Sequence, residues 1–322
     1  MTAGADPLPG EFARIARYFA PLAGPGALGL GDDAAVLTPP AGRELVISVD
    51  AMVAGVHFLP DDPPGLVARK LLRTNLSDLA AMGAVPLGYL TTVATPRDTP
   101  EAWFSGFAAG LALDQAEFGL SLLGGDTSST TGPISLSLTI LGSVAPGTAL
   151  QRNGAGAGDG LWVSGSIGDG ALGLLAATGR IADHDGVLAG RYRLPQPRLA
   201  LGLALHGIAS AAMDVSDGLV QDAGHLSRAS GLGVEIEAGL VPLSPQARAA
   251  NRLALCLTGG DDYELLLAVP PGREAALLAA AGAARTSVTR IGWFRAGPAA
   301  VTVRDGAGGV MHLPKGGWSH FE

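Results

Sequence analysis

Strand-like and helix-like runs alternate along this chain twice, once on each side of the stretch "APGTALQRNGAGAGDG" at residues 145–160. Such alternation leaves few architectures open, because each sheet face and helix stripe must be covered by another element. The pattern predicts two domains of α/β (α+β) type, an N-terminal domain at 1–148 and a C-terminal domain at 149–322. In the first half, "EFARIARYFAPL" spaces Phe12, Ile15, Ala16 and Phe19 as one amphipathic helix. "ELVISVDAMV" reads as a strand ending at Asp50, and "DPPGLVARKLLRTNLSDLAAMG" as one or two helices. "PEAWFSGFAAGLALDQAEFG" is a long helical pattern, "LSLLGGDTSS" a strand entering a turn, and "GPISLSLTILGSV" alternates as a strand does. In the second half, "LWVSGS" and "GVEIEA" read as strands, and "GDGALGLLAATGR" and "GREAALLAAAGA" as helices. The apolar run 199–213 reads as a buried helix, short of the ~20 residues a membrane span needs.

Hydrophobic residues are 48% of the 322 and charged ones 16%, the balance of a globular chain. A net charge of −8 argues against a nucleic-acid partner, which calls for a basic face. Cys256 is the one cysteine, so no disulfide forms within a chain, as fits a reducing cytoplasm. The start, "MTAGADPLPGEF", lacks the basic and apolar regions of a signal peptide. The expectation is a cytoplasmic protein with no membrane association.

Acidic residues are few, yet many gather in Gly- and Ser-rich turns. They are Asp32 and Asp33, Asp50, Asp78, Asp126, Asp214 and Asp217, and Asp261 and Asp262. Aspartate beside glycine is ordinarily a turn or a helix cap. Asp78 resists that reading, because "NLSDLAAMGAVP" is helical on both sides of it. A buried unpaired carboxylate is expensive, so Asp78 needs a partner. Arg69, Lys70 or Arg73 could pair with it, but one ion pair leaves the other carboxylates unexplained. Hard divalent cations explain them together, since Mg²⁺ takes oxygen ligands and bridges carboxylates to substrate phosphates. The expectation is a site with several Mg²⁺ ions that binds a nucleoside triphosphate through metal.

Lysine is nearly absent, with only Lys70 and Lys315. Neither follows a G-x-x-x-x-G-K-[ST] loop, and the strand lysine and H-R-D of protein kinases are missing. "GDGALG" (Gly168, Gly170, Gly173) is a literal G-x-G-x-x-G after a strand. The second strand ending in an acid that a dinucleotide site requires does not follow. It reads instead as a tight strand–helix turn. No Ser-His-Asp or Cys-His order stands out. His57 is the histidine of interest, seven residues after Asp50, with a structural role as its alternative. His206 and His225 read as packing or surface residues in helices. Trp318 either anchors the C-terminal segment or stacks on a flat ligand.

"LGDDAAVL", "VDAMVAGVHF", "NLSDLAAMGA", "GGDTSS", "MDVSDGLVQDAGHL", "TGGDDYEL" and "KGGWSHF" occur in this order. Together they resemble the thiamine-monophosphate kinase family, over essentially the whole chain. The wider aminoimidazole-ribonucleotide synthetase superfamily shares "NLSDLAAMGA" and "DVSDGL", while "VAGVHF" and "GGWSHF" narrow the resemblance. It implies a two-domain aminoimidazole-ribonucleotide synthetase-like fold whose N-terminal sheet domain forms a homodimer and whose C-terminal α/β domain completes the substrate site. It implies that ATP phosphorylates thiamine monophosphate to thiamine diphosphate with several Mg²⁺ ions. On the matching positions, it implies metal contacts at Asp33, Ser48, Val49, Asp50, Asp78, Asp126, Asp214 and Asp217. ATP contacts fall on Gly125, Asp126, Arg152 and Ser216, and substrate contacts on His57, Asp261 and Trp318.

Two positions depart from the family. Val49 stands where Thr is common, so only its main-chain carbonyl could bind metal. Asp261 stands where Glu is common, with a reach one methylene shorter. The alternatives are another ATP-dependent synthetase of the superfamily, of the selenophosphate synthetase or hydrogenase maturation type, or a non-catalytic nucleotide- and metal-binding protein. The N-terminal region lacks the reactive Cys and Lys of the first, and no D-x-D-x-D-G loop supports a calcium module.

Overall fold

The computed structural model describes residues 10–314 and 316–319. The leader reading at Met1–Pro9 and the motif positions Lys315, His320 and Phe321 lie outside the described residues. The chain divides into two compact units, Met1–Asn75 with Pro86–Ser143, and Leu76–Val85 with Val144–Glu322.

The first unit opens with α1 (Glu11–Arg14), which gives way to a wider turn at Ile15–Phe19. The helix expected here forms from Glu11 to Leu22 without a break, but as an α turn, a π turn and a 3-10 turn in succession rather than one regular helix. Its apolar stripe is only partly used: Phe19 is buried and Phe12 stays 83% exposed. There follow β1 (Glu44–Val53), α2 (Pro64–Met82), β2 (Val85–Thr95), α3 (Glu101–Phe118), β3 (Ser121–Ser129) and β4 (Ser135–Val144). The strands form one sheet in the order β1-β4-β2-β3, with β2 and β3 parallel. Helix α3 ends on Gly119 in the left-handed conformation, an ordinary helix stop.

Two charged residues are fully buried between α2 and α3. Arg73 is 1% exposed and Asp114 0%. Arg73 Nε donates to Asp114 Oδ2 at 2.8 Å, and Arg69 Nε donates to Oδ1 at 2.7 Å. Arg73 also donates to Glu117 at 2.6 Å. Arg69 and Arg73, two of the cations near Asp78 in sequence, thus bond to α3. Lys70, the third, donates to the main-chain oxygen of His57 at 3.0 Å.

The second unit contains β5 (Gly160–Ser164), α4 (Asp169–Ala177), α5 (Val187–Arg193), α6 (Leu199–Ala204), β6 (Ala211–Asp214) and α7 (Leu219–Ser230). It continues through β7 (Gly233–Glu237), α8 (Pro245–Ala250), α9 (Leu253–Thr258), β8 (Leu265–Val269), α10 (Glu274–Ala283), β9 (Val288–Arg295) and β10 (Val301–Arg304). Its sheet runs β10-β7-β9-β5-β8-β6. Every residue of β5 and β8 is buried. Side chains alternate along a strand, so such a strand must be covered on both faces. Leu266 and Ala268 join a core with Leu219, Ala223 and Leu226 of α7, while Leu265, Leu267 and Val269 join another with Leu201 and Leu277.

The apolar run 199–213 is not one helix. Helix α6 stops at Ala204 and β6 begins at Ala211. Between them, the His206 ring nitrogens lie 3.0 Å from Thr148 O and 2.8 Å from Gly83 O. Those carbonyls hold the ring outside any helix, and Ser210 N then enters the sheet by donating to Ala268 O at 2.9 Å.

Candidate active site

In the first unit, Asp33 is exposed, and its N–H donates to Asp32 Oδ1 at 3.2 Å. Ser48, Val49 and Asp50 follow one another on β1. The strand runs three residues past Asp50 rather than ending there. Asp126 lies within β3 rather than in a turn, opposite Thr92 of β2. A register shift inserts Leu123 as an extra residue just upstream, and such bulges re-aim the side chains that follow. At Gly125 a Cβ atom would lie 1.9 Å from Thr91 O, so glycine is required for β2 and β3 to pair there. His57 accepts a hydrogen bond at Nδ1 from Val53 N at 3.0 Å, which places the proton of the neutral ring on Nε2.

The strand order bears on how these oxygens meet. β1 and β3 occupy opposite edges of the sheet. Three strand spacings separate them, about 14 Å, so Asp50 and Asp126 do not share one cation within a single sheet.

The second unit holds Asp78, Arg152, Asp214, Ser216, Asp217, Asp261 and Trp318. On α2, Leu76 and Leu79 are fully buried while Asp78 is half-buried. Its neighbour Ser77 donates through Oγ to Asp214 Oδ2 at 2.8 Å, so the end of α2 is tied to the end of β6. After β6 the chain wraps around Asp222. Ser216, Asp217 and Gly218 all donate their main-chain N–H to Asp222 Oδ2 at 3.1 Å. Burial and the Asp217 charge push the Asp222 carboxyl up to about 7, against the pull of those three amides.

The loop after α9 is joined to this one. Asp261 N donates to Ser216 O at 2.9 Å, and Tyr263 N to Val215 O at 2.8 Å. The C-terminal segment closes the other side. Trp318 N donates to Asp217 O at 2.9 Å, and Gln221 Nε2 donates to Trp318 O at 2.8 Å. Trp318 is 54% exposed. A cleft of about 670 Å³ opens here, lined by Asp217, Gln221, His225, Arg228, Val301 and Trp318 among others. Ser216, Asp217, Asp261 and Trp318 are therefore gathered by main-chain bonds, whereas Arg152 is held by its carbonyl, which accepts from Ser230 Oγ at 3.1 Å, and its charge reaches His225 in the cleft.

Beside Asp217 stand Asp222, not singled out from the sequence, and His225, read there as a packing or surface residue. The three place one potential ligand atom each within 4.8 Å of one another. Burial and the charges of Arg228 and Arg152 hold the His225 ring below its ordinary pKa. Helical periodicity made His225 look like a packing residue. The signal for a site role was the i, i+3 spacing of Asp222 and His225 behind "DVSDG".

"GDGALG" is occupied by the protein itself. Gly168 N donates to Asp262 Oδ2 at 2.7 Å and Gly170 N to Oδ1 at 2.9 Å. The start of α4, where a phosphate would bind in a dinucleotide fold, already holds a carboxylate. Side chains at those positions would also clash, with a Cβ at Gly168 2.4 Å from Cys256 Cβ. Burial pushes the Cys256 thiol up to about 12, far from a reactive thiolate.

The donors at the expected metal positions are all oxygen: carboxylates, the Ser48 hydroxyl and the Val49 carbonyl. That is the set a hard divalent cation takes. Asn75, one turn before Asp78 on α2, adds a buried Oδ1 with no hydrogen-bond partner, while its Nδ2 donates to Leu71 O at 2.9 Å.

Comparison with known proteins gives a consistent result. The AIR synthase related protein N-terminal domain matches residues 31–144, and the C-terminal domain of the same family matches residues 156–304. The thiamine-monophosphate kinase of Caulobacter vibrioides is 50% identical over 297 residues, 89% of this chain and 84% of that protein. The crystal structure of thiamine-monophosphate kinase from Stenotrophomonas maltophilia K279a superposes with a TM-score of 0.79 at 37% identity, covering 85% of this chain and 89% of that one. A structure of AaThiL complexed with AMPPCP and TMP gives a TM-score of 0.78 at 28% identity, over 92% and 97% of the two chains.

Proposed function

We propose a function from one premise: this chain belongs to the thiamine-monophosphate kinase family of the AIR synthase related proteins. It phosphorylates thiamine monophosphate with ATP, yielding thiamine diphosphate and ADP. At the site, one observation carries the reading. The loop of Ser216 and Asp217, expected at ATP and metal, is bonded through its main chain to Asp261 and Trp318, expected at the substrate.

The acceptor is a phosphate monoester, whose second pKa is about 6. Its oxygen is already ionised near neutral pH, so attack on the γ-phosphorus needs no strong general base. Transfer is direct and in line, with no phosphoenzyme. The obstacle is repulsion between two anions, and positioning together with charge neutralisation is the main task of such sites. Mg²⁺ would supply the positive charge that offsets this repulsion, and the residues that would hold it are Asp33, Ser48, the Val49 carbonyl, Asp50 and Asp126 in the first unit and Asp78, Asp214 and Asp217 in the second. Arg152, the main chain at Gly125 and Ser216, and Asp126 orient ATP. His57 and Asp261 hold the substrate, and Asp261, short of a glutamate by one methylene, does so through a bridging water.

A homodimer fits the first unit. Leu45 (41%), Ile47 (61%) and Val49 (61%) form an exposed apolar row on edge strand β1. Unprotected apolar edges invite pairing with another chain. A second copy placing its β3 beside β1 would pair that edge's main-chain groups and bring Asp126 of one chain near Asp50 of the other, and folding the two sheets together over the Leu45, Ile47 and Val49 face would cover the row. Light scattering is expected to report twice the chain mass, and a monomer at micromolar concentration would exclude this arrangement. We place the protein in the cytoplasm, in keeping with one buried cysteine. No helix among the described residues is long and apolar enough to cross a membrane.

The test is product analysis with ATP and Mg²⁺ against thiamine monophosphate, thiamine and aminoimidazole ribonucleotide precursors. Selective formation of thiamine diphosphate is expected, and turnover of another acceptor in its place overturns the reading. In the same assay Trp318→Ala should raise KM for thiamine monophosphate by about 2- to 30-fold, from the ~0.5–2 kcal/mol of a cation over an aromatic face. KM for ATP should stay near its original value. An equal loss for both substrates would mean that Trp318 only anchors the C-terminal segment.

A further inference from the structure

Residues 261–264 alternate in burial and in backbone conformation. Asp262 and Glu264 are buried, at 2% and 0% exposure, while Asp261 and Tyr263 are half-buried. Asp261 (φ 70°) and Tyr263 (φ 53°) both adopt the left-handed region, which is unusual for a carboxylate and exceptional for a bulky aromatic. Backbone strain of this kind persists only where the surroundings over-determine it, and it collects at functional sites.

The surroundings here do so. The Asp262 carboxylate grips the Gly168 and Gly170 amides. The Glu264 carboxylate takes Ser164 Oγ at 2.6 Å and the guanidinium groups of Arg191 and Arg198. The main chain is tied to β6 and its loop on both sides, through Asp261 N to Ser216 O and Val215 N to Glu264 O. What this framework fixes is a contact between the two strained residues. The Tyr263 hydroxyl faces Asp261 Oδ1 at 3.2 Å. This is at the long end for a hydroxyl–carboxylate hydrogen bond.

We propose that Tyr263 is a positioning residue for substrate binding: its hydroxyl donates to Asp261 and holds that carboxylate at the angle from which it meets thiamine monophosphate. The inference rests on reading Asp261 as a substrate contact. A short aspartate that binds through water depends on its orientation more than a longer side chain would, and Tyr263 supplies the orientation.

The test is steady-state kinetics on the full chain carrying Asp261→Ala, Tyr263→Phe or both, with melting temperature measured alongside. Tyr263→Phe keeps the ring and the backbone demand and removes only the hydroxyl. Asp261→Ala is expected to raise KM for thiamine monophosphate about tenfold, and Tyr263→Phe several-fold, of the order a charge-assisted hydrogen bond supports. KM for ATP should not move in either variant, and the melting temperature should hold in Tyr263→Phe, whereas Asp261→Ala lowers it modestly because alanine tolerates φ 70° less well than aspartate. The double variant should match Asp261→Ala alone. If Asp261→Ala raises KM but Tyr263→Phe does not, the positioning role is wrong and the substrate reading stands. A Tyr263→Phe effect that persists in the Asp261→Ala background, or that is matched by lost stability, also overturns it. An unchanged KM in Asp261→Ala removes the substrate reading, and the positioning role with it.

Discussion

Asp78→Asn is expected to lower kcat by about a hundredfold to a thousandfold while leaving the fold intact. The size follows from the several kcal/mol that a bound cation contributes to a charged transition state, at 1.36 kcal/mol per factor of ten. The variant is isosteric and removes only charge. Asp78 is half-buried on a helix whose Leu76 and Leu79 are fully buried, so packing around it is unaltered. The Mg²⁺ concentration giving half-maximal rate should rise as well, since one ionic ligand becomes a neutral one. A purely structural Asp78 makes the opposite forecast: a lower melting temperature with near-normal activity per folded molecule. Measuring kcat across a Mg²⁺ titration beside a thermal melt separates the two.

Glu264→Ala is expected to be the most destabilising single change in the second unit. The residue is completely buried and compensates two arginines. Truncating one partner of a buried ion pair costs about 3–5 kcal/mol, because the remaining charge is left without compensation. The side chains of Arg191 and Arg198 are 21% and 20% exposed, so water recovers part of that cost. A loss of about 3 kcal/mol is reasonable, equivalent to a melting temperature lower by roughly 6–12 °C for a unit of this size. Glu264→Gln keeps an acceptor for Ser164 and should fall between. A melting temperature within about 2 °C of the parent for Glu264→Ala would show that the cluster contributes little.

The sequence revealed elements where periodicity and burial coincide. β4 alternates as written, and α3 and α10 lie on their helical patterns. Where a continuous apolar run served two elements, periodicity was silent. The stretch 199–213 is apolar because α6 and β6 both pack into the second unit's cores, and carbonyls from distant Thr148 and Gly83 decide where the helix ends. The site was legible as a collection of acids but not as roles. Asp262 looks like its neighbour Asp261 in sequence, yet it is spent on the amides of α4, a long-range pairing that no local signal carries. Asp222 likewise reads as a residue in the first turn of α7 and acts as the hub of the Ser216–Gly218 turn. Sheet order was hidden too, and it separates Asp50 from Asp126 within one chain.

The most direct measurement is anomalous diffraction from crystals of the full chain grown with Mn²⁺, a non-hydrolysable ATP analogue and thiamine monophosphate. Manganese peaks are expected at ligand distance from Asp78 and Asp214, and from Asp50 of one chain together with Asp126 of its partner, each bridging to a phosphate oxygen. Nucleotide and substrate bound with those carboxylates facing arginines or solvent, and no metal between the two phosphates, would contradict it.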